Sequence, residues 1–137
     1  MSEEKHRIVV DTNLWISFLL TRDFSKLDRL LSTGRTILLI SQELLEEIVE
    51  VAERPKFKKY FDLFELTELL VNLKQKAEFV QVRSHVNVCR DEKDNFLLSL
   101  AIDGSATHVL TGDKDLLVLH PFGEIEILTI ADYLSDK

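Results

Sequence analysis

The chain has 137 residues, 45% hydrophobic and 30% charged, with a net charge of −7. That length suits one domain with one core, expected over residues 1–137, and no apolar run is long enough to cross a bilayer, so no membrane partner is expected. The negative charge argues against gripping nucleic acid through a broad basic surface, an objection that weakens if bound cations reverse the local potential.

The single cysteine, Cys89, rules out an intramolecular disulfide and fits a cytoplasmic location. With it and four scattered histidines, a zinc site of Cys/His type is not expected. The opening Met-Ser-Glu-Glu-Lys is polar rather than a basic and then apolar leader, and residues 1–6 are expected to be mobile.

In chain order, Ile8–Val10 reads as a short buried strand, Asn13–Leu20 as a helix, and Ser25–Ser32 as a second helix that Gly34 stops. Thr36–Ile40 is β-branched and Leu-rich and reads as strand two. Ser41 is a good N-cap for a helix over Gln42–Glu53, and Pro55 ends it. Phe57–Phe64 reads as a short helical connection, Leu66–Ala77 as a helix, and Phe79–Val88 as a short strand followed by a loop. Asn95–Asp103 is helical and stops at Gly104; His108–Thr111 is a strand, and Lys114–Leu119 a brief turn or helix. Ile125–Leu128 is the last strand and Ile130–Leu134 the last helix. This alternation predicts an α/β fold, a parallel sheet with helices on both faces, in which right-handed crossovers bring the carboxyl ends of the strands to one rim.

The acids fall where such a fold gathers its site residues. Asp11 ends the first apolar run, and is read as a cation ligand rather than an N-cap because Thr12 and Asn13 already offer capping groups. Asn13 reads as a supporting polar group or a turn residue. Asp94 shares its helix face with Leu98 and Ala101, and a carboxylate on an apolar face must be paired or bind something. Asp91 and Glu92 are placed to serve the start of that helix. On Gln42–Glu53, Glu43, Glu46, Glu50 and Glu53 project away from the apolar arc. Glu47 lies at the arc's border, and reads equally as a cleft residue and as a surface one. In Thr111-Gly-Asp-Lys-Asp115, Asp113 is the better ligand candidate and Asp115 the better cap. Acids meeting in one crevice repel one another unless a cation intervenes, and an all-oxygen set suits Mg²⁺ or Mn²⁺. Arg54, Lys56, Lys58 and Lys59 form a basic cluster that serves equally well as a solvated turn or as contacts to RNA phosphates.

These residues resemble a known pattern. Val9-Val-Asp-Thr-Asn13 is similar to the opening strand of PIN-domain nucleases. Ser41-Gln-Glu-Leu-Leu-Glu-Glu47, followed by Arg54-Pro-Lys56-Phe57, resembles the second acidic motif of one subgroup. Asp91-Glu-Lys-Asp94-Asn95 and Thr111-Gly-Asp113-Lys-Asp115 resemble the third and fourth. The resemblance implies a single-domain α/β/α sandwich and a Mg²⁺- or Mn²⁺-dependent ribonuclease. It makes Asp11, Glu47, Asp94 and Asp113 both catalytic and metal-binding, with Asn13, Thr111 and Asp115 in support. Asp91 stands outside the four-acid pattern, either reaching the metal or only capping its helix. Many members of the subgroup, the VapC-like proteins, are toxins of toxin–antitoxin pairs, so an antitoxin protein is an implied partner.

The mechanism expected is metal-assisted phosphodiester hydrolysis of RNA. No histidine falls in a shared motif, and His108 and His120 are read as structural or solvated. One rival is a phosphoryl-transfer domain of receiver or phosphatase type. Ser41, rather than an acid, ends strand two, which counts against a receiver; Asn13 stands where a phosphatase of the haloacid-dehalogenase type wants a second Asp. The other rival is a non-catalytic module that binds RNA or protein. The aromatic stretch Phe57–Phe64 reads either as a homodimer surface or as core.

Overall fold

The computed structural model describes residues 5–32, 34–60 and 62–135. In chain order its elements are β1 (His6–Val10), α1 (Thr12–Thr21), α2 (Ser25–Ser32), β2 (Thr36–Ile40), α3 (Gln42–Ala52), α4 (Pro55–Lys58), α5 (Leu63–Lys76), β3 (Glu78–Phe79), α6 (Glu92–Asp103), β4 (His108–Leu110), α7 (Lys114–Leu117), β5 (Glu126–Leu128) and α8 (Ile130–Ser135). The strands form one parallel sheet in the order β3-β2-β1-β4-β5. Helices flank this sheet, as the alternation of elements predicts.

Strands covered on both faces read as unbroken apolar runs. Ile8, Val9 and Val10 of β1 and Val109 and Leu110 of β4 are at most 1% exposed. The helices contribute Trp15, Leu44, Ile48, Leu98 and Leu100 to the same core. Gly104 caps the end of α6 where the sheet comes close: a Cβ there would lie 2.8 Å from Leu39 Cδ1. Gly34 follows α2 at a positive φ of 70°, which suits glycine.

Several boundaries differ from the sequence expectation. His6 belongs to β1 and its ring is hydrogen-bonded to the Tyr133 hydroxyl, so the expected mobile segment does not reach that far; residues 1–4 lie outside those described. The Phe57–Phe64 connection is split. Pro55 opens the single turn α4, and Asp62 caps α5, which begins three residues before the expected Leu66. The Asp62 and Asp91 carboxylates each take a first-turn N–H, which carries both helices further back than apolar periodicity alone indicates.

The chain from Gln81 to Arg90 has no strand partner, yet its backbone is held. Asp103, Ser99 and Asn95 lie four residues apart on one ridge of α6. Asp103 accepts the N–H groups of Arg83 and Ser84, and Ser99 accepts that of Val86 at 2.9 Å. Asn95 accepts those of Val88 at 3.0 Å and Cys89 at 2.8 Å. This polar ridge replaces a sheet edge and fixes the approach to the start of α6. Among the described residues no helix is long and apolar enough to cross a membrane.

Candidate functional site

The strand order reverses between β1 and β4, and their carboxyl ends open a crevice of the kind in which α/β folds bind ligands. Ile8 pairs with His108 and Val10 with Leu110, so Asp11 and Thr111 emerge side by side. The Asp11 N–H donates to the Leu110 carbonyl at 3.0 Å and extends the ladder one step. One Asp11 carboxylate oxygen takes the Asn13 N–H at 3.4 Å and caps α1; the other accepts the Thr111 hydroxyl at 2.7 Å. The sequence reading opposed cap and site residue, and the structure corrects it: Asp11 is the cap while it also lines the cleft. Asp11 is buried, and that burial raises its pKa; nearby Asp113 adds to the rise and the Thr111 hydrogen bond opposes it.

Thr111 joins two acids. Its hydroxyl donates to Asp11 and accepts the Asp113 N–H at 3.0 Å. Asp113 caps α7 by accepting the Asp115 N–H at 2.9 Å. This corrects the assignment of the cap to Asp115, which sits inside the first turn of α7 and does not line the cleft. The residue that leaves a strand end ahead of a turn has the extended backbone that capping needs.

Asp94 enters from the first turn of α6. Burial, reinforced by Asp113, Asp91, Asp11 and Asp115, pushes its pKa up to about 6. Asp91 caps this helix through the Lys93 N–H at 3.0 Å and lines the same cleft. Asn95 ties the helix start to the preceding chain, with its amide nitrogen donating to the Cys89 carbonyl and to Glu92, both at 3.0 Å.

Glu47 of α3 completes the set. It is half-buried and lines the cleft, so the border of the apolar arc does face inward. Burial raises its pKa, with Asp11 and Glu50 adding to the rise while a hydrogen bond with Thr12 and the charge of Lys93 oppose it. Asp11, Glu47, Asp94 and Asp113 thus line one cleft of about 180 Å³. Leu44, Val51, Phe96 and Leu97 form its apolar wall, and Asn13 stands exposed at its edge.

Of the basic cluster, Arg54 alone lines this cleft. Lys56 Nζ lies 4.9 Å from the centre of the Phe57 ring and Lys59 Nζ 5.2 Å from that of Tyr60, while Lys58 ends α4. Sequence reasoning missed Thr12 and Lys93, both of which line the cleft. Their signal was adjacency: Thr12 follows Asp11, and Lys93 precedes Asp94. The histidine expectation agrees with their placement. His108 packs 4.6 Å from the His6 ring at the amino ends of the strands, and His120 Nδ1 accepts the Ile127 N–H at 2.9 Å.

Among the described residues no three His, Cys, Asp or Glu side chains converge into a ready-made ion cluster. The donor chemistry nonetheless fits a hard cation. Every candidate ligand is a carboxylate, and Asp11, Glu47 and Asp94 all have pKa values raised by burial and by neighbouring negative charge. Mg²⁺ keeps several of its own waters and takes one or two protein carboxylates, so it needs no closed protein cage.

Comparison with known proteins agrees with this fold. The family model described as "PIN domain" matches residues 7–115. The chain belongs to the PIN-domain family, a superfamily of nucleases that typically use divalent metals. It is also 30% identical over 122 residues to the uncharacterized protein MJ1680 of Methanocaldococcus jannaschii, a match covering 87% of this chain and 78% of that protein.

Proposed function

We propose that this chain is a Mg²⁺- or Mn²⁺-dependent endoribonuclease that hydrolyses RNA phosphodiester bonds at the four-carboxylate cleft. The observation that carries the proposal is that Asp11, Glu47, Asp94 and Asp113 line one cleft beside the strand-order reversal, with the Asp94 pKa pushed up to about 6 by burial and neighbouring acids. Asp11, Glu47, Asp94 and Asp113 would hold a divalent ion, which would supply an acidified water as nucleophile and charge stabilisation on the phosphate.

The protein's own part is positioning. Asp11 and Asp94 both line the cleft, and their surroundings keep them there. Thr111 fixes the Asp11 carboxylate, and the α6 cap at Asp91 fixes the turn that presents Asp94. Asp113 is held by its own cap and by Thr111.

The resemblance to VapC-like proteins supports a toxin role, with a small antitoxin protein covering the cleft. Exposed Tyr60 and Phe64 support a homodimer through the α4–α5 region. The chemistry is tested by the ends of the cut RNA. Attack by water leaves no 2′,3′-cyclic phosphate and does not need the 2′-hydroxyl. Cyclic phosphate ends, or cutting that persists in EDTA, contradict the proposal.

A further inference from the structure

The cleft is strongly acidic, and an RNA strand must bring its phosphates into it. Two cations from different elements line it. Arg54 follows α3, where Pro55 forces the chain out of the helical conformation, and its guanidinium turns back one helical turn to Glu50. The contact spans both carboxylate oxygens, with Nη2 2.9 Å and Nε 3.2 Å from Glu50 Oε2 and Nη2 3.3 Å from Oε1. Lys93 comes from the first turn of α6, and its Nζ lies 3.9 Å from Oε1 of the same carboxylate. Arg54 and Lys93 both line the acidic cleft, while Glu50 is 55% exposed and does not.

We infer that Arg54 and Lys93 form a two-walled clamp for a backbone phosphate of single-stranded RNA, and that Glu50 is a built-in counter-ion which the phosphate displaces. The two oxygens of Glu50 occupy the place of two non-bridging phosphate oxygens. A planar guanidinium fork matches both groups. As a structural device the trio has little value, because exposed ion pairs contribute little to stability. As a receiving site it answers a need, since it places positive charge where a polyanion meets an acidic cleft. The Lys93 charge also acts on Glu47 inside the cleft, so the clamp adjoins the carboxylates. The inference deepens the nuclease reading and rests on it for naming RNA as the ligand.

The test is binding of a fluorescein-labelled single-stranded RNA by the full chain in EDTA, followed by anisotropy over a range of salt concentrations. The Arg54→Gln/Lys93→Gln double variant is expected to bind about tenfold or more weakly. Its plot of log affinity against log salt is expected to flatten by about 0.7 for one phosphate no longer neutralised. Glu50→Gln is expected to bind about two- to fivefold more tightly than wild type, because the competing charge is gone. Unchanged thermal midpoints separate these effects from misfolding. Wild-type affinity in the double variant overturns the clamp, as does Glu50→Gln binding no tighter than wild type, or the weakening appearing in Lys56→Gln/Lys58→Gln instead. Metal-dependent cutting by wild type without these differences overturns the clamp alone; these differences without any cutting overturn the nuclease reading alone.

Discussion

The Thr111 hydroxyl donates to the Asp11 carboxylate at 2.7 Å across 100 residues of sequence. The bond links the ends of two neighbouring parallel strands, and the same hydroxyl accepts the Asp113 N–H. One side chain therefore sets two of the acids that line the cleft.

Thr111→Val keeps the shape and removes the hydroxyl. One oxygen of the buried Asp11 carboxylate and the Asp113 N–H both lose their Thr111 partner, while the other Asp11 oxygen keeps the Asn13 N–H, so the variant is expected to be less stable by about 1–3 kcal/mol. If Asp11 holds a metal, removing its orienting hydrogen bond is expected to weaken Mn²⁺ binding roughly 10- to 100-fold. Chemical denaturation and calorimetric titration with Mn²⁺ check the two effects separately.

Asp94 gives a pH dependence whose sign is fixed. Its folded pKa of about 6 lies above the ordinary carboxylate value of 3.8, so the folded state holds the proton more tightly than the unfolded state. Stability without metal is expected to fall as pH rises from about 4 to 6 and to stay lower above that range. Asp11 and Glu47 are raised as well and act in the same direction. Asp94→Asn is expected to flatten the fall. Asp23, Glu78 and Asp103 are lowered and act in the opposite direction. Denaturant unfolding at a series of pH values in EDTA is therefore read as wild type minus Asp94→Asn, and a difference that rises through that window contradicts the account.

Asn95 holds the chain that leads into α6 through both its amide oxygen and nitrogen. Asn95→Ala is expected to destabilise the protein by about 2–3 kcal/mol, because several backbone groups are left unpaired together. Hydrogen exchange should quicken first at the Val88 and Cys89 amides. Equal protection in the variant contradicts the clamping role.

The inner strands were legible because a parallel sheet buried on both faces leaves unbroken apolar runs, as in Thr36–Ile40, which matches β2 residue for residue. The edge strand β3 is only the exposed pair Glu78–Phe79, one residue before the expected Phe79 start. Helix starts were less legible. Asp62 and Asp91 act through single side-chain hydrogen bonds that apolar periodicity does not register. Asp11, Asp94 and Asp113 could be picked out by their places at strand ends and on a helix face, whereas helical periodicity left Glu47 equally a cleft and a surface residue, and the family resemblance singled it out. The hydrogen bond from Thr111 to Asp11 could not be read from spacing, because it depends on the register of β1 against β4. Glu50 was assigned to the outer face of its helix, and it is indeed exposed; its reach to Lys93 depends on how α6 sits beside α3.

Single-turnover cleavage of labelled single-stranded RNA, measured against Mn²⁺ concentration for wild type and for folded Asp94→Asn, tests the central claim most directly. The account predicts a saturable metal dependence in wild type and disappearance of nearly all activity in the variant. Equal cutting by the two proteins, or wild-type cutting that ignores Mn²⁺ and EDTA, contradicts it.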